Sequence, residues 1–210
     1  MNEILKYNDA NKILEEYGLP FPHEKLIDSE EDAAKAASEI GYPVSLKLIS
    51  PDIIHKSRAG CVLLNLTSEN EVREGYEEII ERAKMHNTKV YGVLVQEMVS
   101  RGKEVIIGML RDEQLGPTIA FGLCGVFTEI LGDTSFRAVP ISKDEALAMI
   151  REIKAYKIIE KSDVESIADV ISKVSRLCVE KKEILEVEIN PLLVYEKGVM
   201  ILNSRIVYRR

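Results

Sequence analysis

The 210-residue chain has no tryptophan, only three cysteines and three histidines, and no excess of positive charge. Each shortage excludes something. Cys61, Cys124 and Cys178 are scattered without metal-ligand spacing, which rules out a disulfide scaffold or a zinc module. They fit a reducing cytoplasm, where they pack as small apolar residues. No apolar run approaches the roughly 18 residues of a membrane span, and no signal-peptide pattern is present, so a cytoplasmic protein without membrane contact is expected. The net charge of −7, from 28 basic and 35 acidic residues, argues against a nucleic-acid binder. There is no internal repeat and no low-complexity tract. What remains is 46% hydrophobic and 30% charged, the balance of an ordinary globular chain that needs no covalent staples. Its length allows one large domain or two small ones.

The chain is organised around Val44 to Leu66. The run Val44-Ser45-Leu46-Lys47-Leu48-Ile49 reads as a buried strand with a lysine in its middle. A buried ammonium is costly unless an anion meets it, whereas a lysine at a strand edge snorkels to water. Both readings of Lys47 stand on sequence alone. A loop with Pro51, His55, Lys56, Arg58 and Gly60 follows, then a second apolar strand, Val62 to Leu66. Strand, basic loop, strand is one way to grip phosphates without a P-loop helix, through cations and backbone N–H groups. His55 is either surface decoration or a neutral imidazole able to attack phosphorus.

Taken in order, Glu3 to Tyr17 reads as a helix stopped by Gly18 and Pro20. An extended piece follows near Lys25-Leu26-Ile27. Ser29 caps an alanine-rich helix that runs to Ile40, ended by Gly41 and Pro43. Ser68 and Glu71 form a capping box for a helix to about Lys84. Tyr91 to Met98 and Lys103 to Leu110 flank Gly102 and read as an antiparallel hairpin. Pro117 to Phe121 and Ser135 to Val139 read as extended. Ser142 and Glu145 open a helix ending near Lys154, and another runs from Val164 to Val179. The chain closes with Ile184 to Tyr195, a turn at Lys197-Gly198, and Val199 to Val207. Early alternation and later hairpins predict an α+β protein of two lobes with mixed or antiparallel sheets flanked by helices. The expected lobes are 1–110 and 111–210.

Gln96 and Glu97 end one strand and Glu104 begins the next. They are either solvated turn residues or a hinge where backbone near Gln96 to Met98 meets an adenine edge and Glu104 accepts ribose hydroxyls. Glu186, Glu188 and Asn190 alternate, so they share one strand face. That face is either simply wet or a site for a hard cation such as Mg²⁺, with Asn203 on the returning strand placed to join it.

GYPVSLKLISPDIIHKS, LVQEMVSRGKEVIIGMLRD, GPTIAFGLCGVFTEIL, SFRAVPIS and EVEINPLLVY together resemble the ATP-grasp (β) subunits of ADP-forming acyl-CoA synthetases, acetate–CoA ligases (ADP-forming) among them. The succinyl-CoA synthetase β subunits are more distantly similar. The resemblance runs from about Leu14 to Ile206. It implies an ATP-grasp fold that holds ATP or ADP with Mg²⁺ between two lobes. It implies that Lys47 contacts phosphates, that Ser57, Arg58, Ala59 and Gly60 cover them, and that Gln96, Glu97, Met98 and Val99 form the adenine hinge with Glu104 on the ribose. It implies Asn190, with Asn203 and Glu188, as the metal site. It implies that His55 receives phosphate and passes it to or from the nucleotide. The reaction implied is acyl-CoA + ADP + phosphate to acid + CoA + ATP, reversibly, with a separate α-type CoA-binding partner.

The sequence departs from that pattern in four ways. Arg58 stands where an aspartate is usual, Cys61 and Cys124 replace glycines, an Arg-Gly segment is missing from Lys157 to Asp163, and Asn203 replaces an aspartate. A catalytically weakened paralogue that regulates or scaffolds such a complex is the alternative these departures keep open. An ATP-grasp ligase with another acceptor is the third reading, and His55 speaks against it.

Overall fold

A computed structural model describes residues 2–53, 59–114, 116–125 and 132–209. Two compact units emerge, Pro22–Ser100 and the combination of Met1–Phe21 with Arg101–Arg210.

The smaller unit is a four-stranded sheet in the order β2-β5-β3-β4, built from β2 (Glu24–Ile27), β3 (Val44–Ile49), β4 (Val62–Leu66) and β5 (Gly92–Glu97). Helices α2 (Glu30–Ile40) and α3 (Glu69–Met85) cover one face. Alternation explains which face. Val44, Leu46 and Leu48 of β3 and Val93 and Val95 of β5 pack with Ala33, Ala37, Val72 and Ile79 of the helices. Ser45, Lys47, Leu94 and Gln96 consequently point to the other face. The expected caps are in place: the Ser29 and Ser68 hydroxyls accept from the N–H groups of Asp32 and Glu71. The Glu71 carboxylate accepts from the Thr67 N–H at 2.6 Å and from its hydroxyl. Those bonds hold its pKa below the usual carboxylate value.

The larger unit is a seven-stranded sheet ordered β1-β11-β9-β6-β7-β8, with β10 paired to β9. Its strands are β1 (Asn2–Ile4), β6 (Lys103–Asp112), β7 (Gly116–Leu123), β8 (Thr134–Ala138), β9 (Ile184–Val194), β10 (Val199–Ile201) and β11 (Ser204–Arg209). Helices α1 (Tyr7–Glu16), α4 (Lys143–Glu152), α5 (Tyr156–Ile159) and α6 (Val164–Glu180) supply Leu14, Met149, Ile159 and Ile171 to one core with Ile107, Phe121 and Val187 of the sheet. Ser142 and Glu145 form the full reciprocal capping box of α4. Asp163 caps α6 through the Ser166 N–H and also accepts from the Gly198 N–H at 2.7 Å, tying the helix to the β9–β10 turn.

Every strand pairing among the described residues is antiparallel, and the α+β reading with two flanked sheets holds. Three expectations change. Glu3 and Ile4 lie in β1, paired to β11, and the helix starts only at Tyr7. β5 and β6 are not a hairpin: β5 pairs with β2 and β3, and β6 with β7 and β9. Burial explains the separation. β5 is buried on nearly every residue as a central strand, while β6 alternates and buries one face only. The expected boundary after residue 110 therefore falls inside β6, and the chain crosses between units at Ser100–Arg101. Gly102 serves close approach, since a Cβ there would lie 3.0 Å from the Val194 carbonyl oxygen and from the Tyr195 ring.

Candidate functional site

In the smaller unit the helix-free sheet face carries a polar line. Glu24 is paired opposite Gln96 across β2 and β5, and Gln96 opposite Ser45 across β5 and β3, with Lys47 two residues along on the same face. Gln96 is only 1% exposed. Its Nε2 donates to Glu24 Oε2 at 2.6 Å, and its Oε1 accepts from Lys47 Nζ. Lys47 is thus a half-buried cation held on a polar face, not one snorkelling from an edge. The next residues are already engaged: the Glu97 N–H donates to the His23 carbonyl at 2.8 Å and the Met98 N–H to the Pro43 carbonyl at 3.2 Å. Neither N–H is therefore open to a base edge brought to this stretch.

His55, Ser57 and Arg58 lie outside the described residues. The end of their loop is described. Gly60 adopts φ 69°, and Arg82 of α3 donates to its carbonyl while pairing with Glu78. Cys61 is fully buried among the α2–α3 core, and burial raises its thiol pKa.

In the larger unit the helix-free face carries Glu186, Glu188 and Asn190. Their half-exposure alternates with the buried Val187 and Ile189. A bulge places Asn190. Val105 of β6 pairs with Leu192 and Ile107 with Ile189, so β9 spends one more residue than β6 at Asn190-Pro191. Such bulges re-aim side chains where they occur. Across from it, the Asn190 N–H donates to the Asn203 carbonyl at 3.0 Å and Leu202 N–H to the Pro191 carbonyl at 3.1 Å. Asn203 Nδ2 returns a bond to the Asn190 carbonyl at 3.1 Å.

The side chains converge further. Asn190 Nδ2 donates to Glu188 Oε1 at 3.3 Å, and Asn190 Oδ1 accepts from the Cys124 thiol at 3.4 Å. Arg205, paired opposite Glu188 on β11, donates Nε to Glu188 Oε2 at 3.1 Å and a terminal nitrogen to Glu186. Glu188, Asn190 and Asn203 offer oxygen donors, the ligand chemistry that suits Mg²⁺. Glu104 is exposed on β6, and its carbonyl accepts from the Cys124 N–H at 3.0 Å. Sequence reasoning missed Glu24 and Arg205 as members of these clusters. The alternation that marks Glu188 also marks Arg205, two residues after Asn203, but Glu24 becomes visible only through strand pairing.

A family profile described as ATP-grasp domain matches residues 1–207. The chain belongs to the ATP-grasp family. It is 45% identical to the acetate–CoA ligase [ADP-forming] I subunit beta of Pyrococcus furiosus, over 98% of this chain and 92% of that one. The dinucleotide-forming acetyl-coenzyme A synthetase 1 of Ca. Korarchaeum cryptofilum, solved with coenzyme A, Ca-AMPCP and HgCl+, superposes with a TM-score of 0.94. It is 44% identical and covers 99% of this chain and 94% of that one. A second structure of that enzyme holds coenzyme A and Mg-AMPPCP with its phosphohistidine segment pointing towards the nucleotide-binding site. Its TM-score is 0.85, at 42% identity, over 98% and 93% of the two chains. This ATP-grasp chain therefore sits among the β subunits of ADP-forming acetate–CoA ligases.

Proposed function

We propose that the chain is the nucleotide-handling β subunit of an ADP-forming acyl-CoA synthetase, working with an α-type CoA-binding partner. It catalyses phosphoryl exchange within acyl-CoA + ADP + phosphate to acid + CoA + ATP. The observation that carries the reading is the match to a β subunit over nearly the full length of both chains. The two helix-free sheet faces support it with a cation on one and an oxygen-donor cluster on the other.

Lys47 meets nucleotide phosphates, and the turn Ser57, Arg58, Ala59 and Gly60 covers them. Gln96, Glu97, Met98 and Val99 form the hinge for the base, and Glu104 takes the ribose. Glu188, Asn190 and Asn203 hold Mg²⁺, which supplies positive charge to the phosphate oxygens. His55 is the phosphate acceptor. Its unprotonated imidazole nitrogen attacks the γ-phosphorus of ATP, the N–P bond forms, the bond to the bridging oxygen breaks, and ADP leaves. The reverse makes ATP from the phosphohistidine. Little covalent chemistry is asked of the protein beyond this, so positioning and electrostatics carry the rate.

Calorimetry of the purified chain with Mg-ADP tests the binding half. Nucleotide at 100 times its dissociation constant stabilises the fold by about 2.7 kcal/mol, and no heat or thermal shift at millimolar nucleotide refutes the reading. Activity with acid, CoA and ATP should be absent for the chain alone and appear on mixing with the partner. Turnover unaided would overturn the division of labour.

A further inference from the structure

We propose that Glu24 is a positioning residue that holds Lys47 in place through the carboxamide of Gln96. The inference rests on the reading of Lys47 as the phosphate contact. A carboxylate can only accept hydrogen bonds and an ammonium can only donate them. Between Glu24 and Lys47, the Gln96 carboxamide satisfies both neighbours in one sense alone, with Nε2 toward Glu24 and Oε1 toward Lys47. With the opposite sense, Nε2 would face the ammonium and Oε1 the carboxylate, two repulsive contacts at a residue 1% exposed.

Glu24 is the cheapest of the three to fix. It sits on β2 in direct register with Gln96, so the sheet sets its distance. Gln96 is in turn in register with Ser45, whose hydroxyl donates to the Gln96 carbonyl at 3.3 Å. The backbone of Gln96 is pinned on both sides, and Glu24 anchors the end of its side chain remote from Lys47. Glu24 thereby keeps an acceptor beneath the Lys47 ammonium and holds that cation on the helix-free face. It need not touch the nucleotide.

Three substitutions separate this role from plain electrostatics. In Glu24→Gln an amide oxygen still accepts from Gln96. In Glu24→Ala the carboxamide loses its anchor on β2. In Glu24→Lys a donor replaces the acceptor and competes with Lys47 for the carboxamide oxygen. Titration calorimetry of the full chain with Mg-ADP, and with adenosine by displacement of ADP, reads the result. Glu24→Gln should stay within about twofold of wild type for ADP, Glu24→Ala should weaken ADP by about tenfold, and Glu24→Lys by more. Adenosine, which has no phosphate for Lys47, should bind within about twofold of wild type throughout. ADP binding that is unchanged or tightened in Glu24→Ala overturns the proposal, because removal of a negative neighbour from Lys47 would by itself favour phosphate. Equal losses for ADP and adenosine also overturn it, since they mark a structural defect. If Glu24→Lys fails to fold, the Gln and Ala variants decide. If wild type itself binds no ADP, the nucleotide reading fails and this inference with it. If wild type binds and Glu24→Ala is silent, this inference alone fails.

Discussion

Substituting Asn203→Asp tests the oxygen-donor cluster and should change sign with magnesium. Without the cation, the variant loses the bond from Asn203 Nδ2 to the Asn190 carbonyl, 3.1 Å long, and sets a carboxylate oxygen against that carbonyl. A neutral hydrogen bond is worth about 1 kcal/mol net. The site is half-exposed, so the new carboxylate can turn to water, and the loss stays near that value. For a chain of this size, about 1 kcal/mol lowers the melting temperature by about 2–4 °C. With Mg²⁺ and ADP the balance reverses. Among Glu188, Asn190 and Asn203 only the first carries charge, and the affinity of such sites follows the number of anionic ligands. If the added carboxylate tightens the site about tenfold, linkage returns about 1.4 kcal/mol at saturating ligand, more than the cost. The assay is paired melting curves of wild type and Asn203→Asp, with EDTA and with Mg-ADP. The variant should melt lower in EDTA and at or above wild type with Mg-ADP, its half-saturating Mg²⁺ should fall, and turnover in the assembled enzyme should not suffer. The same temperature difference in both conditions would show that Asn203 does not meet the metal.

His55 should take up label from γ-labelled ATP that is lost in acid and retained in base, and His55→Ala should abolish it; label persisting in the variant would move the acceptor elsewhere. Asp163→Ala should destabilise the fold at neutral pH by about 1–2 kcal/mol, through loss of a helix cap and of the Gly198 tie. The Gly198 and Ser166 N–H groups hold the Asp163 pKa below the ordinary value. The contribution is thus present above the unfolded pKa of about 4 and lost as pH falls through the lower folded one. Urea melts of wild type and Asp163→Ala should converge in acid, and a gap that widens there would refute the sign.

The elements legible in the sequence were those whose signal is local. Ser29, Ser68 and Ser142 announce their helices because a cap and its partner lie three residues apart. The alternation of Glu186, Glu188 and Asn190 announces their shared face. What failed was pairing. β5 and β6 are adjacent in sequence and both apolar, so a hairpin was the natural expectation. Register with distant strands decided otherwise, and β1 formed only because β11 was there to receive it. The Glu24–Gln96 bond spans 72 residues of chain, and the bulge at Asn190-Pro191 is defined only by what β6 does opposite. No local pattern encodes either.

The departures from the family pattern can now be weighed by place, and they do not carry equal weight. Cys61 lies fully buried in the α2–α3 core, its thiol donating to the Ala59 carbonyl at 3.5 Å. It replaces a small residue in packing and leaves Gly60 beside it with the positive φ that the turn uses. It therefore gives no support to a weakened paralogue. Cys124 and Asn203 are different, since both bond to Asn190, one at its side-chain oxygen and the other at its carbonyl. A thiol there donates a weak hydrogen bond to the very oxygen that a cation would use, while glycine would offer none. Arg58 lies outside the described residues, and as a substitution of arginine for an acidic residue it adds positive charge to the segment proposed to cover phosphate, which favours nucleotide over repelling it. Two of the departures, Cys124 and Asn203, thus meet at Asn190. On the proposed reading of that cluster they argue for altered cation demand and not for loss of the nucleotide site, because Lys47, Gln96 and Glu24 keep their hydrogen-bonded chain on their own sheet face.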